Sequence, residues 1–353
     1  MVIFRQQTLT RLRKFFYLRQ QRLKITFKVY RAIALFLLGT LAVFIVSACG
    51  VQIDKSNVTV GDVPSPVAYR LVKHALGETK VPINPQRVVA LDSTSLEAAI
   101  ALEVKLVGAT TWTGSGNAGS FPSFFKPEQI ASVEYLGDEN QPNLEKILAL
   151  KPDLLLGSTF NGEQIYAQLK QIAPTVMYEL YDGQRVMPWQ ESFELYAEAL
   201  GKTVEAKKII SNYEQRVARF RQQMGDRLAQ TEVSVVRFMP EGVQLLLKSI
   251  FVGNILQDVG LPRPPSQNKD KPQERISLEY LPKLGGDVIF VAQSDPEATL
   301  YQKVTSNPLW QQLDAVASGK VYEVNYEYWI GGSGAIAANL VVDDLFKYFV
   351  ARE

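Results

Sequence analysis

The stretch from Thr203 to Leu228, TVEAKKIISNYEQRVARFRQQMGDRL, decides how this chain is organised. Ile209, Ile210, Tyr213, Val217, Phe220, Met224 and Leu228 recur at three- and four-residue spacing, which keeps one apolar stripe on one side of a helix. No proline interrupts the run. Gly201 and Lys202 close the helix before it, and Thr203 is the expected N-cap. At 1.5 Å per residue the run extends roughly 35–40 Å. Short β-rich apolar runs alternate with helical patterns on both sides of it. The helix therefore reads as a strut joining two α/β lobes, residues 69–202 and 229–353, with the strut itself at 203–228. A surface helix of one domain would carry the same periodicity.

Upstream of the strut, Tyr69 to Pro85 alternates around Gly77 and suggests a β-hairpin. Arg87 to Leu91 (RVVAL) reads as a buried strand, followed by Asp92-Ser93-Thr94, a helical run to Leu102 and a second strand at Lys105 to Thr110. This β-α-β unit builds a parallel sheet, and ligands of such sheets bind beyond the carboxyl ends of the strands. Trp112 and Gly114-Ser115-Gly116 lie at such an end, so they are expected to line a cleft, although a tryptophan can equally serve a core. Further strands are expected at 133–137, 153–158 and 175–180, with Asn143 capping a helix at 144–150. Downstream, strands are expected at 233–239, 243–248, 287–292 and 320–325, with 261–273 as a proline-rich loop and 335–350 as the closing helix. Arg237 interrupts the apolar strand VSVVRFM; a buried arginine needs an anionic partner, so it either sits in an ion pair or faces a cleft. Gly331-Gly332-Ser333-Gly334 lacks the Gly-Lys-Ser/Thr of a phosphate loop and reads as a place of close backbone approach.

Residues 1–48 hold nine of the 38 Lys/Arg and no acid, which leaves 29 basic against 36 acidic residues in the rest of the chain. The body is therefore mildly acidic, with nothing to favour nucleic acid. The apolar run from Ala32 to Ala48 follows this basic segment and ends at Cys49, a signal-peptide pattern. Val46-Ser47-Ala48-Cys49-Gly50 resembles a bacterial lipoprotein signal, which implies a leader at 1–48, acylation of Cys49, a tether at 49–68 and a body held on the outer side of a membrane. An uncleaved N-terminal anchor is the other reading. Cys49 is the single cysteine and His74 the single histidine, so an intrachain disulfide is excluded and a bare transition-metal site is disfavoured. His74 is expected to be structural.

The segments 74–92 (HALGETKVPINPQRVVALD), 137–157 (GDENQPNLEKILALKPDLLLG), 252–260 (VGNILQDVG) and 307–345 together resemble the iron-siderophore substrate-binding proteins of ABC importers. The resemblance spans about residues 69–350. It implies two α/β lobes bridged by one rigid helix, as in class III periplasmic binding proteins. It also implies a monomer that uses no cofactor, holds a ferric siderophore in its cleft and delivers it to a permease. Trp112, Arg237 and Trp329 match pocket-lining positions of the family, with Tyr326, Tyr328 and Phe251 as further candidates. Aromatic faces suit the apolar linkers of such a ligand and a guanidinium suits its oxygens. Glu145 matches an acid that meets the permease; the second such position is Gln257, a departure, with Asp258 beside it as the alternative.

Cobalamin or haem binding on the same fold is one competing reading. An extracytoplasmic enzyme is another, against which stand the missing nucleophile elbow and the lack of a histidine free to act as base. A tethered interaction protein is a third.

Overall fold

The computed structural model describes residues 68–351, apart from 113–118, 182, 184–185, 240–241 and 294–298. Cys49, the expected leader, all of the expected tether but Ala68, and Gly114 to Gly116 lie outside the described residues. Pro66–Glu353 forms one compact unit.

Strands β1 (Tyr69–His74) and β2 (Gly77–Pro82) pair as the expected antiparallel hairpin. The first sheet is built from β3 (Val88–Ala90), β4 (Leu106–Thr111), β5 (Glu134–Asp138), β6 (Leu154–Ser158) and β7 (Thr175–Tyr178), in the order β5-β4-β3-β6-β7. All its pairings are parallel. The second sheet takes β8 (Val233–Met239), β9 (Gly242–Leu246), β10 (Gln273–Ile276), β11 (Val288–Gln293) and β12 (Val321–Asn325), in the order β10-β9-β8-β11-β12. Its β8-β11-β12 half is parallel and its β8-β9-β10 half antiparallel.

Side-chain alternation assigns the sheet faces. Leu154 and Leu156 of β6 enter a core shared with the long helix, while Leu155 enters a separate cluster on the opposite face. Val288 and Phe290 of β11 likewise face the shared core, and Ile289 and Val291 face away. Sheets covered on both faces explain why these strands read as continuous apolar runs. Strand β10 begins at the last residue of the segment expected as a loop and runs beyond it; it is a polar edge strand whose single buried residue is Ile276, so no apolar pattern announces it.

The principal helices are α1 (Ser93–Ala101), α2 (Leu144–Ala149), α3 (Tyr166–Ile172), α4 (Trp189–Leu200), α5 (Thr203–Met224), α6 (Phe251–Val259) and α7 (Ala335–Phe349). The strut is α5, 22 residues long. It buries Ala206, Tyr213, Val217, Phe220 and Met224, while Ile209 and Ile210 flank the core half-buried. It ends four residues before Leu228, because Gly225 turns into a positive-φ conformation (φ 54°) that breaks the helical path. The expected cap is also displaced: Thr203 is the first helical residue, and Lys202 occupies the cap position without a side-chain bond to the helix backbone. One continuous core takes in Leu154 of the first sheet, Phe220 of the strut, and Val235 and Phe290 of the second sheet. Helix α7, expected to belong to the second lobe alone, packs against α1 and α4 as well as α5 and α6.

Candidate functional site

The carboxyl ends of the first sheet open onto a cavity of about 330 Å³ whose far wall comes from the second sheet. Asp92 and Ser93 follow β3, Trp112 follows β4, Glu139 follows β5, and Ser158 ends β6. Across from them stand Arg237 of β8, Ile250 and Phe251 at the head of α6, and the loop 330–333. A parallel sheet creates such a site because its strand ends turn into helices, leaving backbone and short polar side chains at the rim.

Arg237 presents its guanidinium to this cavity. Its Nε donates to Gln244 Oε1 and its Nη1 to the Tyr326 hydroxyl at 3.1 Å, so its partners among the described residues are neutral. The Tyr326 ring in turn stacks on Trp112, with centroids 6.5 Å apart and planes 19° from parallel. Tyr326 thus braces both the cation and the indole that line the cleft. Phe160, 66% exposed, stands at the rim of the same cavity.

The opposite wall is acidic. Asp92 is 4% exposed and caps α1: its Oδ1 accepts from the Ser95 N–H at 2.7 Å. Its Oδ2 is buried, and the hydroxyl and backbone N–H of Ser158 lie beside the carboxyl and favour its charged form. Glu139 Oε2 accepts from both the backbone N–H and the hydroxyl of Ser93, each at 3.0 Å. Asn161 Nδ2 donates a longer contact, 3.4 Å, to its Oε1. Burial pushes the Asp92 carboxyl up. Glu139, enclosed by the cleft walls while keeping part of its surface open, is pushed up to about 7, first by burial and then by the Asp92 charge. Sequence reasoning missed this pair: Asp92 was legible as a residue at a strand end, but nothing local joins it to Glu139, 47 positions later.

The expected site residues divide. Trp112, Arg237 and Phe251 line the cavity, and Tyr326 lies directly behind Trp112 and Arg237. Trp329 does not line it. Only 1% exposed, it packs on Phe290 at 4.7 Å between ring centroids, and its Nε1 donates to Asp344 Oδ2 at 2.8 Å. Tyr328 is turned the same way, donating its hydroxyl to Asp344 Oδ2 at 2.9 Å. Residues 326–329 form one helical turn, which rotates successive side chains by about 100° and points the second and third aromatics into the core. The glycines after it permit close approach: a Cβ on Gly332 would lie 2.3 Å from Ala337 Cβ, and one on Gly334 2.7 Å from Glu97 Cβ.

Glu145 is exposed in the first turn of α2, where Asn143 Oδ1 caps the helix by accepting from Lys146 N–H at 3.0 Å. Asp258 departs from the expected outward acid. It is half-buried against the strut, accepting from the Tyr213 hydroxyl at 2.8 Å and from Gln190 Nε2 at 3.4 Å. Burial raises its carboxyl. His74 is structural as expected, with Nε2 3.0 Å from Thr79 Oγ1 and Nδ1 accepting from the Leu76 N–H. Among the described residues no group of three His, Cys, Asp or Glu is arranged to hold a metal ion.

Residues 88–328 match the sequence pattern of the periplasmic binding protein family, a span from the first strand of the parallel sheet to the turn behind the cleft. The chain belongs to that family. It is a substrate-binding protein of two α/β lobes, not an enzyme. It is 36% identical over 324 residues to the probable siderophore-binding lipoprotein YfiY of Bacillus subtilis, covering 88% of this chain and 95% of that one. It is 27% identical over 276 residues to the achromobactin-binding periplasmic protein of Dickeya dadantii, covering 74% and 86%. Among solved structures, Staphylococcus aureus SirA complexed with staphyloferrin B superposes with a TM-score of 0.69 at 30% identity, covering 79% of this chain and 98% of that one. In this periplasmic binding protein, as described, no helix is long and apolar enough to cross a membrane.

Proposed function

We propose that the protein captures a ferric siderophore outside the cytoplasmic membrane and delivers it to the permease of an ABC importer, using the lobes 69–202 and 229–353 as jaws and α5 as the strut between them. The observation that carries this reading is Arg237, a cation held in the cavity by neutral partners beside Trp112. Such a guanidinium keeps donors for the oxygens of a ferric chelate, and the indole face supports its linkers. The relatives named for siderophore binding support the ligand class. On this reading Cys49 carries the lipid that holds a monomer at the membrane, and Glu145 is the acid that meets the permease. Tryptophan fluorescence titrated with ferric hydroxamate, catecholate and citrate-type chelates, and with cobalamin and haem as controls, tests the ligand class. Saturable quenching by a ferric chelate alone is expected; saturation by cobalamin or haem in its place overturns the reading.

A further inference from the structure

The cavity carries one guanidinium and two carboxyls, an odd complement for a purely anionic ligand. Arg237 accounts for one pole. The other pole is the Asp92–Glu139 wall, joined through Ser93, which follows Asp92 in the chain and donates twice to Glu139. The cap of α1 needs only one oxygen of Asp92, the Oδ1 that accepts from Ser95. The Oδ2 of this 4% exposed residue is itself buried with Ser158 beside it, so Asp92 backs the wall, and the acceptor that the wall offers to the cavity is Glu139 Oε1, held only by the 3.4 Å contact from Asn161. A sheltered carboxylate oxygen short of donors is costly, and a donor supplied by a ligand removes that cost. The other charged or titratable groups acting on this wall are Asp138 and Tyr196, neither of them a cation, so the charge has no basic partner of its own among the described residues.

We propose that this wall is a subsite for a protonated amine of the ligand, seated on Glu139 with Asp92 behind it and across from Arg237, so that the protein selects ferric chelates carrying both a cationic nitrogen and an oxygen-rich anionic pole. The proposal rests on the ferric-chelate reading above and refines it. An ammonium supplies three donors, one of which meets the open Oε1 side of Glu139. A ligand carboxylate in the same place would meet the ionised Glu139 as a like charge. The Tyr326 hydroxyl and the Gln244 side chain hold Arg237 on its own wall, which keeps the two poles of the site distinct.

The test uses three pairs of ferric chelates, built on hydroxamate, α-hydroxycarboxylate and catecholate, each with a pendant primary amine and with that amine acetylated. For the pair that binds, the amine form is expected to bind about ten-fold or more tightly than its acetylated twin. Its affinity is expected to rise from pH 6 to pH 8, as Glu139 ionises while the amine, with its ordinary value near 10, stays charged; the acetylated twin should show no such rise. Glu139→Gln keeps an acceptor for Ser93 and should abolish both the preference and its pH dependence, with circular dichroism confirming the fold. Equal binding of the twins, a preference for the acetylated one, or a preference untouched by Glu139→Gln overturns the amine subsite while leaving the ferric-chelate reading intact. Binding of none of the six chelates overturns the ferric-chelate reading, and the subsite with it.

Discussion

The Glu97 carboxylate, on the first helix of the parallel sheet, accepts hydrogen bonds from the backbone N–H groups of Ser333 at 2.8 Å and Ala337 at 3.0 Å, 236 and 240 positions away. Those N–H groups belong to the head of α7, where helical donors have no partner of their own. One acid therefore caps a helix from another part of the fold and fastens the region beside the cleft loop 330–333. Its burial, at 1% exposure, pushes it up to about 7 against the opposing pull of the three backbone N–H groups it faces.

Replacing Glu97 by alanine leaves one buried and one half-buried donor unsatisfied and should cost about 2–4 kcal/mol of stability, measured by denaturant unfolding. The pH dependence has a definite sign. The folded-state value, about 7, lies above the ordinary 4.5, so the folded protein holds a proton that the unfolded chain has released. The contribution is complete below 4.5 and is lost as pH rises through 7. Wild-type stability should consequently fall between pH 5 and pH 8, and Glu97→Gln should flatten that fall by an amount on the order of 3 kcal/mol. An equally steep profile in Glu97→Gln would assign the slope to the other carboxyls raised by burial, Glu139, Asp92 and Asp258.

Arg237→Ala should weaken binding of the ferric chelate by about ten- to a hundred-fold, on the order of 1.5–3 kcal/mol, in a fluorescence titration. Arg237→Lys should weaken it too, because an ammonium cannot keep Gln244 and Tyr326 while presenting a planar fork to the ligand. Tyr326→Phe removes the Nη1 acceptor but keeps the stack on Trp112, so its effect should be smaller than that of Arg237→Ala. Unchanged affinity in Arg237→Ala would return this residue to a structural role.

The two tryptophans should separate cleanly. Trp112→Ala should lower affinity with little change in melting temperature, since the ring is half-exposed at the cavity wall. Trp329→Ala should cost about 3–5 kcal/mol of stability, because a fully buried indole leaves a cavity behind it. Trp329→Phe, which keeps most of the packing on Phe290 but loses the bond to Asp344, should melt lower while its folded fraction binds as wild type. A specific affinity loss in Trp329→Phe at unchanged stability would contradict this placement.

Glu145→Ala should leave ligand affinity intact and reduce cellular uptake of the chelate, with Glu145→Arg reducing it further through like-charge contact. Asp258→Ala, by contrast, should lower stability, because it strands the Tyr213 hydroxyl on the strut. Normal transport by both Glu145 variants would reduce that acid to a charge favoured by the head of its helix.

The sequence by itself determined the repeating strand-helix order, the strut between two sheets and the location of the cleft. These follow from local periodicity: Val88 to Ala90 and Leu154 to Leu156 are apolar on both faces because both faces are covered, and Tyr213, Val217 and Phe220 mark one side of one helix. Trp112 and Arg237 were legible for the same reason, one standing past a strand end and the other breaking an apolar strand. The tertiary structure alone decided which way the neighbouring side chains turn. Trp329 and Tyr328 fold inward because 326–329 closes into a helical turn beside Asp344, and Asp258 turns inward because the strut brings Tyr213 against it from 45 positions away. Nothing in the sequence sets Glu97 or Glu139 apart from a solvated acid, and Asp92 stands out only as a residue at a strand end. Their burial, and the chemistry that follows from it, exists only once segments far apart in the chain have packed together and excluded water from between them.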